Sequence, residues 1–419
     1  MSERVSRRSI MNTEGGKWKR WIAGASMMIL TLSLCACEPE KEVIRLSIWT
    51  PEAKTDFMEQ VVKSFCELHK DEAKIEYQIS NEEEDTCKET VLNDIEGAAD
   101  IYSFADDQLD ELKNAGALRE IPVDVDKALQ PFGGADSVAY ESVVRDGKMY
   151  AYPETANGYF LFYNSKYFKE KDIRSLDRMV EIAGNLHKKV TMDLNSGWYL
   201  YSFFRAAGLT VRIDESGQKN ICDWADEDGK YSGLEVVKAI AKLAVQTGFK
   251  SMTDEDFVKG AQSGKVIAGV NGAWNAGKIK RAWGVNYAAV QLPTFRIGKK
   301  DLQMGSFTGY KVVGINANTK HPEWCQRLIE YLTDKDNQIL EYEKTGEVPA
   351  NLDVASEEAV KDAPAVKALS DQSRFATLQR VAPTYWDASG KLGIILGSGN
   401  PDKKNLKELL KETVREITG

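Results

Sequence analysis

Strand-like segments alternate with helix-like segments along most of the chain, and this alternation constrains the fold more than any other feature. Residues 43–49 are rich in β-branched side chains, and apolar residues then recur at helical spacing over 57–65. A strand pattern at 74–79, a helix pattern at 87–95 and a strand pattern at 100–104 follow. Units of this length predict parallel strands joined by right-handed helical crossovers. The fold class is therefore predicted to be α/β.

The same alternation continues through the second half of the chain. Further strands are predicted at 159–163, 190–194, 266–270, 287–292 and 310–315, and further helices at 234–244, 324–331 and 406–417. Of the 419 residues 42% are hydrophobic, which excludes an intrinsically disordered chain. At about 150 residues per domain, the length predicts two to three compact units.

The first 36 residues differ in charge from the rest. They hold six basic and two acidic residues, whereas the remainder holds 49 basic and 62 acidic residues, a net charge of −13. An acidic body argues against a broad electrostatic contact with nucleic acid, and none is predicted.

Residues 1–36 have the pattern of a lipoprotein signal peptide. A basic cluster at 17–20 precedes an apolar run at 21–34, which is shorter than the ~20 residues that span a bilayer. The last residues of this region and the next cysteine resemble the bacterial lipoprotein box, which selects Cys37 for lipidation. With 37–42 as a tether, the protein is predicted to be exported and anchored to the bacterial cell membrane, facing outside the cytoplasm. An ordinary cleaved signal is the alternative.

No motif for a cofactor or a metal ion is complete. The cysteines and the three histidines match no zinc spacing. Residues 272–278 satisfy the first part of a phosphate-binding loop, but Ile279 stands where Ser or Thr is required. The sequence therefore predicts no cofactor and no metal. Free thiols are predicted, with a Cys66–Cys87 disulfide as the alternative.

Several aromatic residues stand near predicted strand ends and glycine-rich turns. They are Trp49, Phe104, Trp198, Trp274 and Trp386. A sugar ring has apolar C–H faces and a rim of hydroxyls, so a sugar site needs flat aromatic platforms with Asp, Asn and Lys groups at the edge. One stacked ring contributes about 1–3 kcal/mol, so platforms in a row would bind an oligosaccharide. Core packing is the alternative for any single one.

Six short stretches carry a family resemblance. The most specific are 147–154 (Gly-Lys-Met-Tyr-Ala-Tyr-Pro-Glu) and 161–164 (Leu-Phe-Tyr-Asn), and the others are 46–49, 100–105, 270–274 and 314–317. On these stretches the chain resembles the maltose/maltodextrin-binding proteins, the solute receptors of ABC importers. The resemblance runs from about residue 43 to the C-terminus.

The resemblance implies a two-lobed, type II periplasmic-binding-protein-like fold. Each lobe would be a mixed, mostly parallel sheet flanked by helices. Hinge strands would join the lobes near 153–158, 307–312 and 347–351. The N-terminal lobe would then comprise 43–155 and 312–347, and the C-terminal lobe 158–308 and 350–419. Such receptors close their hinge around the ligand.

The resemblance also implies a set of ligand-binding residues. Trp274 and Trp386 fall where the family has stacking tryptophans, Trp198 where it has a stacking tyrosine, and Phe104 where it has a tryptophan. Asp107 and Lys54 match polar partners of sugar hydroxyls. The chain departs from the family at Asn157, which replaces an acid, and at Gln108, which replaces an arginine. Fewer charged groups predict more reliance on stacking and a preference for longer chains.

The predicted function is the extracellular capture of malto-oligosaccharides for a membrane permease, by a monomer without catalysis. Three alternatives stay open: the same receptor role for a galactoside or a xylo-oligosaccharide, a surface glycosidase, and a sensory sugar receptor. A glycosidase would need two carboxylates at a fixed separation, which the sequence alone cannot select.

Overall fold

The structure is a computed structural model that describes residues 41–135, 137–214, 218–227 and 229–419. The predicted signal peptide and the lipidation site Cys37 lie outside the described residues. Residues Glu42–Gly419 form one compact unit.

The strands are numbered in chain order. They are β1 (Glu42–Thr50), β2 (Ala73–Asn81), β3 (Ile101–Ala105), β4 (Val144–Arg145), β5 (Lys148–Met149), β6 (Ala151–Asn164), β7 (Lys189–Thr191), β8 (Val211–Ile213), β9 (Asn220–Cys222), β10 (Phe249–Lys250), β11 (Val266–Gly272), β12 (Tyr287–Val290), β13 (Thr294–Ile297), β14 (Lys300–Gln303), β15 (Ser306–Ile315) and β16 (Ala376–Leu378). The two longest strands, β6 and β15, lie near the middle of the main sheet.

Helices connect most of these strands. They are α1 (Thr55–Leu68), α2 (Cys87–Asn93), α3 (Leu109–Asn114), α4 (Val125–Leu129), α5 (Val138–Val143), α6 (Leu176–Asn185), α7 (Gly197–Ala206), α8 (Gly233–Ala244), α9 (Asp254–Gln262), α10 (Ala276–Trp283), α11 (Pro322–Leu332), α12 (Lys335–Thr345), α13 (Leu352–Ala355), α14 (Glu358–Lys361), α15 (Pro364–Ser373), α16 (Thr384–Gly397) and α17 (Leu406–Thr418). Short 3-10 turns lie at Glu52–Lys54, Asp106–Gln108, Gln130–Phe132, Ala273–Asn275 and Gly284–Asn286.

The main sheet has the strand order β10-β7-β11-β6-β15-β3-β1-β2, with β12 also paired to β6 and β16 to β15. Strands pair in parallel on both outer parts, where β1 lies between β2 and β3, and β7 between β10 and β11. The two long strands, β6 and β15, run antiparallel to each other. The predicted α/β class is confirmed.

Separate hydrophobic cores form on the two ends of this sheet. One core surrounds β1, β3 and α1, with Tyr102 and Phe65 among its largest buried side chains. Another surrounds α7, α8 and α16, with Trp224 stacked on Phe204 at 3.6 Å between ring centroids. Helix α8 begins at a capping box, in which Ser232 and Glu235 exchange side-chain and backbone hydrogen bonds.

Several predicted strands differ in extent from those observed, among them β6, β7, β12 and β15. Residues 159–163 are only the second half of β6. The first half was not predicted as a strand, because the small and conformationally restricted residues of the first predicted hinge segment, 153–158, form no apolar run. The strand predicted at 190–194 ends at Thr191. The Asp193 carboxylate accepts from the Asn195 N–H at 2.9 Å, which forms a turn before α7. The prediction of free thiols is confirmed for the cysteines in the described residues.

The three segments predicted as hinges lie side by side. Residue pairs from Thr308↔Gly158 to Gly314↔Ala151 join β15 to β6. The register shifts where Val312 pairs with Pro153, so Glu154 is an extra residue on β6. The third segment runs along β6, where the Ala156 N–H donates to the Val348 carbonyl at 2.8 Å.

Candidate functional site

A buried phenylalanine on β15 supports two of the predicted stacking tryptophans. The Phe307 ring lies 5.6 Å from the Trp198 ring at an interplanar angle of 22°, and 6.0 Å from the Trp386 ring at 61°. The Phe307 ring also stacks on Tyr201 at 3.9 Å and lies 5.8 Å from the Tyr385 ring. Trp198 and Trp386 are themselves half-buried at the beginnings of α7 and α16. The structure therefore brings these two rings together over a common base.

Hydrogen bonds fix the beginning of α7 beneath Trp198. The Tyr159 hydroxyl donates to the Trp198 carbonyl at 2.8 Å, and the Tyr385 hydroxyl donates to the Gly197 carbonyl at 2.8 Å. A Cβ at position 197 would lie 2.1 Å from the Ser389 hydroxyl, so only glycine permits this approach of α16 to α7. Both tryptophans are consequently held by a rigid base.

Trp274 is held by a half-buried carboxylate, Asp254, at the beginning of α9. Its Nε1–H donates to Asp254 Oδ2 at 2.9 Å, while Asp254 Oδ1 accepts from the Tyr199 hydroxyl at 2.9 Å and from the Asn271 amide at 2.8 Å. Burial raises the pKa of Asp254 even though these donors favour its charged form. The Tyr199 ring lies 5.0 Å from the Tyr159 ring, which connects Trp274 with the base of Trp198.

Two polar atoms of predicted site residues are buried and have no hydrogen-bond partner among the described residues. They are Asn157 Oδ1, an acceptor, and Trp198 Nε1, a donor. Asn157 is 5% exposed and lies two residues before Tyr159 on β6, so the two side chains share one face of the strand. Unpaired buried polar atoms are costly, and ligand hydroxyls would satisfy both.

Asp107 is half-buried beside a second carboxylate, Asp106. Burial, together with the charge of Asp106, raises the pKa of Asp107 to about 7. The Gln379 amide donates to Asp106 Oδ1 at 2.5 Å and reaches Asp107 Oδ1 at 3.4 Å. Asp106 also accepts from the Ser142 hydroxyl at 2.7 Å.

Lys54 lies in a buried cluster of acids rather than at a surface. Its ammonium, 1% exposed, is within 3.0–3.3 Å of four carboxylates: Glu84, Glu154, Glu341 and Glu347. Burial alone would lower the pKa of Lys54, but the attraction of these carboxylates raises it well above its usual value. In this conformation the Lys54 ammonium contacts protein carboxylates.

Phe104 lies entirely within the first core. Its ring is 0% exposed, packs 5.9 Å from Tyr102, and would contact a Cβ at position 314 at 3.0 Å. The ring offers no free face to a ligand in this conformation. Thus Trp198, Trp274 and Trp386 have the half-exposed rings that stacking requires, and Phe104 does not.

Sequence reasoning missed the residues that hold the platforms. Phe307, Tyr159 and Asp254 each look like ordinary strand or cap residues, and nothing in their spacing marks them. Lys311 is different, because a lone lysine inside the apolar strand pattern at 310–315 is an available signal.

The described residues contain no group of three or more His, Cys, Asp or Glu side chains placed to hold a metal ion. Over the same part of the chain, no helix combines the length and the apolar character that a membrane crossing requires.

The long central strands of the mixed sheet connect two separate cores, and this architecture is the two-lobed type II solute-binding fold. Half-buried tryptophans and unpaired polar atoms lie beside those central strands. Residues 60–368 match the bacterial extracellular solute-binding proteins, and the chain belongs to this family. Membership of an extracellular family implies that the protein is exported.

Relatives of known name agree with this assignment. The chain is 25% identical to the galactooligosaccharide-binding protein of Bacillus subtilis, over 92% of this chain and 94% of the relative. It is 23% identical to a maltooligosaccharide ABC transporter solute-binding lipoprotein of Streptococcus pneumoniae, over 90% of each chain. The unliganded maltodextrin-binding protein MalE1 of L. casei BL23 superposes with a TM-score of 0.75, at 22% identity over 90% of this chain and 99% of that one.

Proposed function

We propose that the protein captures malto-oligosaccharides outside the cytoplasm and delivers them to the permease of a carbohydrate ABC importer. One observation carries the proposal: three half-exposed tryptophans, Trp198, Trp274 and Trp386, are held from beneath beside an unpaired acceptor on Asn157. Apolar ring faces with polar atoms at their edge match the two surfaces of a sugar ring. The names of relatives that bind maltodextrins or galacto-oligosaccharides support the ligand class.

Capture would occur by closure of two lobes about the segments 153–158, 307–312 and 347–351. The N-terminal lobe would comprise 43–155 and 312–347, and the C-terminal lobe 158–308 and 350–419. The adjacency of the three segments supports this division, since all three would then bend at the same place. A ligand shifts the balance toward the closed state when it contacts both lobes. The first lobe would contribute Asp107, and the second would contribute the tryptophans.

The mature protein would be a monomer that begins at a lipidated Cys37 and is tethered by residues 37–42. Its partners would be the membrane-embedded permease subunits and the sugar. Capture and release of a neutral sugar require no bond cleavage, so catalysis has no part in the proposal.

A fluorescence screen of oligosaccharides tests the ligand class. The mature chain is titrated with malto-, galacto- and xylo-oligosaccharides while its tryptophan emission is recorded. Saturable change with glucose oligomers supports the proposal, whereas a response to galacto-oligosaccharides alone refutes it. That second ligand class is favoured by the Bacillus subtilis relative.

Matched variants show whether the signal comes from the site. Trp274→Phe should reduce the change in emission. Trp324→Phe should leave it intact, because Trp324 is also half-buried but packs against Phe65 at 6.3 Å in the first core. An equal reduction in both variants would mean that the signal does not report on stacking.

A further inference from the structure

Lys311 lies on β15, within the second predicted hinge segment, 307–312. In the sheet it pairs with Ala105 at the end of β3 on one side and with Thr155 of β6 on the other. β3 continues directly into Asp106 and Asp107, so the lysine lies beside the acidic side of the candidate site. Its side chain is 13% exposed.

The Lys311 ammonium reaches groups from both proposed lobes. Nζ lies 5.8 Å from the centroid of the Trp274 ring, and 3.6 Å from Glu84 Oε2. Its charge also acts on Asp107, where it opposes the rise in pKa that burial causes. Trp274 belongs to the second lobe, whereas Glu84 and Asp107 belong to the first.

Both of these contacts are weak. A distance of 5.8 Å is near the outer limit for a cation above an aromatic ring, and 3.6 Å is longer than a hydrogen bond. An ammonium has three N–H donors in a tetrahedral arrangement. By contrast, Lys54 is surrounded by four carboxylates at 3.0–3.3 Å, so its donors are directed into the protein.

We propose that Lys311 is a ligand-binding residue whose ammonium donates hydrogen bonds to hydroxyls of the sugar ring stacked on Trp274. This inference rests on the proposed function and extends it. Lys311, on β15, thereby takes the role that the family resemblance assigned to Lys54, which lies in the 3-10 turn after β1. Because Lys311 lies on a predicted hinge segment, its ammonium would donate to the sugar while it remains next to Glu84 of the first lobe. Contacts of this kind favour the closed state.

Calorimetric titration of Lys311→Met tests the proposal. Methionine keeps most of the apolar stem but removes every donor. Because a hydrogen bond from a charged group contributes more than a neutral one, we expect Kd to rise about 10- to 100-fold. The matched control is Lys113→Met, since Lys113 also lies above an aromatic ring, Tyr150, at 5.6 Å and pairs with Asp146 at 3.3 Å. We expect no change in its Kd.

The titration uses whichever oligosaccharide of the screen binds the wild-type protein most tightly, so it does not depend on the sugar being a glucose oligomer. An unchanged Kd for Lys311→Met overturns the inference and leaves the proposed function intact. A lower Kd also overturns it, because the lysine would then compete with the sugar for the Trp274 ring. Absence of wild-type binding to every oligosaccharide overturns both.

A crystal structure of the wild-type protein with the same sugar gives a readout that does not depend on how a variant folds. Lys311 Nζ should lie within about 3.2 Å of a sugar hydroxyl. A separation beyond hydrogen-bond distance, with no sugar hydroxyl facing the ammonium, overturns the inference.

Discussion

Replacement of Lys54 by methionine removes the ammonium that lies among four carboxylates. Their oxygens lie 3.0–3.3 Å from Nζ, and both Lys54 and Glu154 are almost fully buried. Removing one partner of a buried ion pair costs about 3–5 kcal/mol because it leaves an uncompensated charge. Here several carboxylates lose their counter-ion at once, so we expect the free energy of unfolding to fall by at least about 3 kcal/mol at pH 7.5.

Urea denaturation measures this loss, and pH identifies its cause. Burial raises the pKa of Glu341 well above its usual value and also raises that of Glu347. Protonation of these two carboxyl groups at low pH therefore neutralises charge that the missing ammonium no longer compensates. A carboxyl with a raised pKa contributes stability at low pH, which is lost as the pH rises through that pKa. The deficit of Lys54→Met should therefore be smaller at pH 5 than at pH 8.

Two further variants complete the test. Lys54→Met combined with Glu341→Gln should recover part of the lost stability, because one buried charge is removed. Lys391→Met is the matched control, since that lysine is exposed and pairs with Glu416 alone at 3.0 Å. An exposed pair contributes at most about 1 kcal/mol. A deficit for Lys54→Met as small as that of Lys391→Met, or one that does not change with pH, would refute the reasoning.

Three other predictions concern Phe307 and Asp254, which hold the tryptophans, and Asp107 of the first lobe. Phe307→Ala empties the space beneath Trp198, and its free energy of unfolding in urea should fall by about 3–5 kcal/mol; a loss below 1 kcal/mol would contradict the packing. Asp254→Asn replaces one of the two carboxylate oxygens that accept from Trp274, Tyr199 and Asn271 by an amide NH2, so sugar affinity should fall about tenfold and the near-ultraviolet circular dichroism should change. Wild-type affinity and an unchanged spectrum would contradict the role of Asp254 in positioning Trp274. Because burial raises the pKa of Asp107 to about 7, its contribution to stability is complete below about pH 4 and is lost as the pH rises through 7. The stability of the wild type relative to Asp107→Asn should therefore fall between pH 5 and pH 8, and a constant difference would exclude this titration.

The fold was more predictable from the sequence than the site. Strands at 43–49 and 74–79 and the helix at 234–244 are confirmed, because their apolar periodicity directly reflects which face is buried. The full length of β6 was not predicted, because Pro153 and Gly158 interrupt the apolar pattern there.

The limits of the site predictions come from contacts between distant residues. The family resemblance implies that Lys54 lies at the site, but Glu341 and Glu347, almost 300 residues later, determine what its ammonium contacts. Aromatic character alone does not separate the buried ring of Phe104 from the half-exposed ring of Trp274. Burial of this kind depends on how strands of the two ends assemble around β15.

Titration calorimetry of the mature chain with glucose oligomers of two to seven units tests the central claim most directly. Three aromatic platforms and few charged partners predict saturable binding that is tighter for three or more units than for two. One further stacked ring is worth about 1–3 kcal/mol, which corresponds to a Kd lower by about 5- to 150-fold. Tightest binding of the disaccharide would contradict the stacking argument. Absence of saturable binding at every chain length would contradict the assignment of malto-oligosaccharides as the ligand.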